Sequence, residues 1–213
     1  MSRLLRFLFF NGLVRLLAVV LLGLNVRHRE RLPTGGPAIL VANHNSHLDT
    51  LVLMTLLPAR LLPRLKPVAA EDYFLKNRLL AWFARDIIGI LPIRRNRGSC
   101  RGDPLVPLGE ALDMGQILIL FPEGTRGRPE HLSWFRRGIA HLAEYHPGVP
   151  VVPIYLHGLG KALPRGEALL VPFFCDVFVG EPLSWSGDRG HYLSTLESAM
   201  QQLAGEGHFP VWE

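Results

Sequence analysis

His44 and Asp49 share the polar run Asn43-His-Asn-Ser-His-Leu-Asp49, and their types suit a base held by a carboxylate. Histidine has an unperturbed pKa of about 6.5, so a carboxylate accepting from one ring nitrogen fixes the tautomer and leaves the other nitrogen free to take a proton. A second cluster, Phe121-Pro-Glu-Gly-Thr-Arg126, lies downstream. Its glycine lets the main chain approach a ligand closely, and its arginine offers a planar fork that matches phosphate oxygens. A general base and a phosphate clamp are the chemistry that these residue types support. Read singly, each cluster also fits an ordinary polar turn. His47 beside His44 raises the question of a metal, but no third ligand stands nearby at helical or loop spacing, and Cys100 and Cys175 are isolated. No metal and no cofactor are expected.

The elements that must position these residues are legible around them. Ala38–Ala42 is an apolar run that reads as a buried strand, and Leu48–Leu57, closed by Pro58, reads as a helix. Ser46 is the expected N-cap. Asp49 then falls at N3, where a carboxylate closes a capping box and meets the positive end of the helix dipole. His44 is thereby placed in the strand-to-helix turn, within reach of a carboxylate in the first helical turn. The second cluster follows the apolar strand Gln116–Phe121.

Taken together, the clusters resemble the lysophosphatidic acid acyltransferase (1-acylglycerol-3-phosphate O-acyltransferase) family of glycerolipid acyltransferases. Asn43-His44 with Asp49 matches the family's His-x4-Asp motif, Gly89–Arg95 its second block, Phe121–Arg126 its third and Val149–Ile154 its fourth. Phe135-Arg-Arg-Gly138 resembles the basic segment after the third block. The likeness runs from about Leu32 to Tyr155, in the family's order. It implies that His44 and Asp49 are catalytic, that Arg95 and Arg126 bind the acceptor phosphate, and that Glu123, Gly124 and Thr125 shape the loop around the glycerol. Pro153 is implied to line the acyl or acceptor site. The chain departs from the family pattern at Arg94, at Gly127 and in Leu156–Arg165, which matches no family block.

Charge and hydropathy single out the N-terminus. The chain of 213 residues is 48% hydrophobic, with mean hydropathy +0.20 and formal net charge +5. Residues 1–31 hold six arginines against Glu30, which equals that whole excess, and the remainder holds 17 basic and 17 acidic groups. Phe7–Val26 is mostly apolar. At ~1.5 Å per residue such a run reaches across a ~30 Å bilayer core, but Arg15 at its middle costs roughly 2.5 to 3.5 kcal/mol there. A helical wheel gathers Arg3, Arg6, Asn11 and Arg15 on one half and leaves Leu5, Leu8, Phe9, Leu13 and Leu16 on the other. An interfacial helix is therefore favoured over a span, with Arg27, Arg29 and Arg31 drawing in an anionic membrane surface. A core helix packed on the domain is the plain alternative. No cleavage site follows Leu24, so the segment is expected to be retained. The basic cluster places the domain on the cytoplasmic face by the positive-inside rule, and isolated cysteines agree with a reducing compartment.

The expected organisation is a membrane-anchoring segment over residues 1–31 and one catalytic domain over 32–213. Strands are expected at Ala38–Ala42, Pro67–Ala70, Ile87–Ile93, Gln116–Phe121, Val151–Leu156, Leu169–Phe174 and Asp176–Val179. Helices are expected near Ser46–Leu57, Asn77–Arg85, Leu105–Met114, Arg136–Tyr145 and His191–Leu203. This alternation predicts an α/β layered fold with a largely parallel or mixed central sheet flanked by helices, and the candidate residues follow strands, where open α/β sheets bind ligands.

The expected activity is transfer of a fatty acyl group from acyl-CoA or acyl carrier protein to lysophosphatidate, giving phosphatidic acid. Alternatives are another acceptor, such as glycerol 3-phosphate, another lysophospholipid or a lyso-aminolipid, then a thioesterase, then an inert lipid-binding protein. Arg60, Arg64 and Lys66 are candidates for donor phosphates or membrane, and Trp82, Phe83, Trp134 and Phe135 for an acyl channel, with surface solvation or packing as the default. Nucleic-acid binding is disfavoured, because the domain after the first 31 residues carries no net charge and no reader motif.

Overall fold

A computed structural model describes residues 2–74, 77–93, 103–125, 127, 132–162, 171 and 173–209. The N-terminal helix runs as α1 (Ser2–Leu8), a π-helical stretch (Phe9–Val14) and α2 (Arg15–Val20). Strand β1 (Asn25–Arg27) and a 3-10 turn (Arg29–Arg31) lead to β2 (Ala38–Ala42) and α3 (Leu48–Leu56). A 3-10 segment (Ala59–Arg64), β3 (Leu65–Ala70), α4 (Glu71–Phe74) and α5 (Arg78–Trp82) follow. A second π-helical stretch (Phe83–Ile88) precedes β4 (Leu91–Ile93), α6 (Val106–Asp113) and β5 (Ile117–Leu120). The rest is α7 (Gly138–Tyr145), β6 (Val151–His157), α8 (Leu159–Ala162), β7 (Asp176–Val179) and α9 (Arg189–Glu206).

The strands form one sheet in the order β1-β7-β6-β2-β5-β3-β4. Every neighbouring pair is parallel except β6 with β7. The expected mixed α/β sheet is thus observed. Strand β2 is central because all five of its residues are apolar and both of its faces are covered. Ala38, Leu40 and Ala42 face α3 and the N-terminal helix; Ile39 and Val41 face α6, α7 and α9. This alternation follows the two-residue period of a strand.

Three expectations need correction. Ile87–Ile93 is not a continuous strand: the π-helical stretch reaches Ile88, Gly89 turns the chain at φ 78°, and only Leu91–Ile93 pairs, with β3. Half of the expected strand Leu169–Phe174 lies outside the described residues, and Val171, Phe173 and Phe174 are not strand. Asn25–Arg27, inside the expected anchoring segment, is an edge strand hydrogen-bonded to β7; three residues are too few to show a period in sequence.

The N-terminal helix packs with the opposite sense from a simple amphipathic reading. Phe10, Val14 and Ala18 are buried at a four-residue spacing, with Phe10 and Val14 in the core cluster of α3. Arg6 and Arg15 lie on this inward side. Arg6 donates from Nη2 to the carbonyls of Leu65 (3.1 Å) and Ile88 (3.0 Å), and Arg15 to that of Thr55 (3.4 Å). The guanidinium fork satisfies carbonyls at helix and strand ends while its stem packs on apolar surface, so arginine here marks the protein-facing side. Arg27, Arg29 and Arg31 are likewise engaged: Arg27 stands 5.0 Å over the Phe178 ring, Arg29 donates to Leu56, and Arg31 pairs with Glu181 at 2.8 Å.

Candidate active site

The end of β2 and the end of β5 lie side by side, and their exit loops build the site. Val41 pairs with Leu120, so His44 and Phe121 emerge together, and their rings stack with centroids 4.1 Å apart. Asn43 extends the β2–β6 ladder by one step through its side chain. Its Nδ2 donates to the Leu156 carbonyl at 2.8 Å and its Oδ1 accepts from the Leu156 amide at 2.7 Å. Asn45 Nδ2 donates to the same carbonyl at 3.2 Å. The carboxamides hold the turn to the sheet on either side of His44, so the main chain that carries the imidazole is anchored by its neighbours' side chains.

Asp49 is fully buried at the start of α3. Its Oδ2 accepts from the amides of Asn45 (2.6 Å) and Ser46 (2.8 Å) and lies 2.9 Å from His44 Nδ1. Ser46 Oγ accepts from Leu48 N at 3.3 Å, but the expected capping box forms only in part: α3 starts at Leu48 with His47 at the N-cap position, Asp49 is its second residue, and the Asp49 amide donates to the Ser46 carbonyl rather than to its hydroxyl. Burial raises the Asp49 carboxyl above its ordinary value, while the His44 ring and the two amides pull it back. Two backbone N–H groups already point at Oδ2, so a proton on that oxygen is opposed, and His44 Nδ1 must be the donor. The Nε2 lone pair is then left free to accept a proton.

The third block closes over this turn. Gly127 N donates to the His44 carbonyl (3.1 Å), and Glu123 Oε1 lies 3.4 Å from the His44 amide. Arg136 donates from its amide to the Pro122 carbonyl (2.9 Å) and from Nε to the Glu123 carbonyl (3.3 Å). Gly124 sits at φ 74°, a backbone angle that favours glycine, and a Cβ there would lie 2.3 Å from Arg136 Nε and push the guanidinium aside.

Of the residues expected from sequence, His44, Asp49 and Glu123 meet in this turn, with Gly124 and exposed Thr125 beside them. Arg95 and Arg126 lie outside the described residues. Pro153 is buried inside β6, paired with Val41, and packs against Gly180. Sequence reasoning gave no role to Phe121, Asn43, Asn45 or Arg136. An asparagine at the end of an otherwise apolar strand was the available signal for Asn43, since a buried carboxamide must find partners. The thiol of Cys175 is buried.

Glu123 carries a testable electrostatic signature. Burial pushes its carboxyl up to about 7, with the nearby Asp49 charge adding to the rise, against hydrogen bonds from His44 and Ser133. Below the unfolded value of 4.5 the group is neutral in both states; as pH rises the unfolded chain ionises first, so the folded state loses stability until pH passes about 7. Glu123→Gln, which cannot ionise, is expected to lack that loss. Thermal melts across this window should show the variant's Tm gaining on wild type as pH rises, whereas parallel curves would refute the assignment.

The fold and this dyad define a class. The Acyltransferase family profile matches residues 23–157, and the chain belongs to that family. It is 32% identical over 165 residues to the chloroplastic 1-acyl-sn-glycerol-3-phosphate acyltransferase LPAT1 of Arabidopsis thaliana, covering 76% of this chain and 44% of the relative. It is 30% identical over 168 residues to 1-acyl-sn-glycerol-3-phosphate acyltransferase alpha of Homo sapiens, covering 76% and 55%. The chain thus spans about half the length of these curated relatives. The crystal structure of the 1-acyl-sn-glycerophosphate (LPA) acyltransferase PlsC from Thermotoga maritima shares the fold, with TM-score 0.78, 21% identity, and coverage of 99% of this chain and 81% of that one.

Proposed function

We propose that this chain is an O-acyltransferase that moves a fatty acyl group from acyl-CoA or acyl carrier protein to the free hydroxyl of 1-acylglycerol 3-phosphate, giving phosphatidic acid. The observation that carries this reading is the His44 imidazole, held on Nδ1 by buried Asp49 and seated beside the Glu123-Gly-Thr loop. In the proposed reaction His44 Nε2 takes the hydroxyl proton as the acceptor oxygen bonds to the thioester carbonyl carbon. Backbone amides stabilise the resulting oxyanion. The carbon–sulfur bond then breaks, and the imidazolium returns its proton to the leaving thiolate. Arg95 and Arg126 hold the acceptor phosphate, and no covalent acyl-enzyme forms. The names of the relatives support lysophosphatidate as acceptor.

The test is purified protein with labelled acyl-CoA or acyl carrier protein and a panel of acceptors, with products identified by mass. Phosphatidic acid from lysophosphatidate is the expected product, and free fatty acid alone would establish a hydrolase. Arg126→Ala is expected to raise the acceptor KM about ten- to hundredfold and leave the donor KM nearly unchanged, as for loss of one charge-assisted contact. A change confined to the donor KM would reassign the clamp.

The same reading includes attachment to one leaflet of a membrane. No helix among the described residues is long and apolar enough to cross a membrane. The N-terminal helix instead presents Leu13, Leu16, Val19 and Val20, each more than half exposed, away from the domain. Phe10 and Leu22 are core residues and β1 is part of the sheet, so deleting residues 1–26 would strip the fold. Surface substitutions on the outward face are the proper probe.

A further inference from the structure

We propose that the helical segment Arg78–Ile88, formed by α5 and its π-helical continuation, is a second membrane-inserting limb that lies beside the N-terminal helix and docks on anionic phospholipid. The proposal rests on the one-leaflet reading above and extends it to an element that begins 58 residues beyond Val20, the end of the N-terminal helix.

Three observations carry it. First, the segment buries Ala84 and Ile87 but turns Leu79 (70% exposed), Leu80 and Trp82 (42% exposed) outward. Large apolar side chains on consecutive turns of a short helix are costly in water unless a partner covers them. Second, this apolar face continues that of the N-terminal helix. Phe83 packs edge-on against Phe9 with centroids 5.3 Å apart, and Arg6 bonds the Ile88 carbonyl. Leu79 lies one turn before Phe83 and exposed Leu5 one turn before Phe9, so both rows extend from the aromatic seam. Third, the charges around the face suit an anionic surface. Arg78 and Arg85 are exposed on the segment, and Arg60 and Arg64 are exposed on the 3-10 segment that lines a small cavity with Phe10 and Arg15. The carboxylates on or before the segment are Asp86, 3.7 Å from Arg85, and Glu71 and Asp72 of α4, while residues 2–24 contain none. A tryptophan at the edge of an apolar patch flanked by arginines is the composition of an interfacial element.

The experiment uses the full chain and sedimentation with vesicles of phosphatidylcholine alone or with phosphatidylglycerol. Leu13→Gln with Leu16→Gln probes the N-terminal face, and Leu79→Gln with Trp82→Gln probes the second limb. All four residues are exposed, so melting curves should match wild type. Each pair is expected to weaken binding by about tenfold or more. Arg78→Gln and Arg85→Gln are expected to weaken binding to the anionic vesicles roughly fivefold each and to the neutral ones little. Brominated phosphatidylcholine should quench tryptophan emission in wild type, and Trp82→Phe should remove most of that quenching. If the N-terminal pair weakens binding but the Leu79/Trp82 pair does not, and Trp82→Phe leaves quenching unchanged, the second limb is overturned while membrane attachment stands. If neither pair matters, attachment itself fails. If the Leu79/Trp82 pair instead dissociates a dimer in sedimentation velocity and leaves vesicle binding intact, the face belongs to a second copy and the proposal is refuted.

Discussion

His44→Ala is expected to lower the acyl-transfer rate by about 10²- to 10⁴-fold at saturating substrates while the protein stays folded. Among the described residues the side chain makes one hydrogen bond and one ring stack, so its removal costs on the order of 1 kcal/mol of stability, whereas Asn43, Asn45 and Ser46 keep the turn in place. Both KM values should stay near wild type, because the imidazole acts on a proton that moves only in the transition state. The measurement is kcat and KM for each substrate together with a melting curve. Near-wild-type turnover in a folded His44→Ala protein would remove His44 from the chemistry, and the reading of the site would fall with it.

Much of the scaffold around His44 is legible in the chain, for a physical reason. Ala38–Ala42 and Ile117–Leu120 are apolar without interruption because strands buried on both faces must be, and Leu48–Leu56 follows the first of them across a polar turn. The turn chemistry was legible too, since a carboxylate at Asp49 has few roles other than accepting from the preceding amides and ring. What the sequence conceals is direction. A helical wheel separates Arg6 and Arg15 from the leucines but does not say which side meets water, and here the arginines reach buried carbonyls while the leucines face out. The break at Gly89 is similarly hidden, because Ile87-Ile-Gly-Ile-Leu reads as one apolar run until the positive φ of the glycine ends a helix inside it. Asn43 and Asn45 act on Leu156, more than a hundred residues away, and no local pattern announces a partner at that separation.

Asp49→Asn is expected to cause the other large loss, and it separates two tasks performed by one oxygen. Oδ2 accepts from Asn45 N, Ser46 N and His44 Nδ1, so it both caps the turn ahead of α3 and orients the His44 ring. An amide oxygen in that place can still accept from the two backbone groups, which preserves most of the cap. It carries no charge to stabilise the imidazolium, and if the amide nitrogen turns toward the ring the proton moves to Nε2 and the base is lost. In the serine-protease triad the same exchange costs about 10⁴ in kcat, and a loss of that order is expected here. Asp49→Ala removes both tasks and leaves two buried amides without an acceptor, at about 1–3 kcal/mol each. The expected pattern is therefore a small Tm drop with a large fall in kcat for Asp49→Asn, and a large drop in both for Asp49→Ala. If Asp49→Asn kept its turnover and only Asp49→Ala lost it, in proportion to its instability, Asp49 would be a cap alone and His44 would need another orienting group.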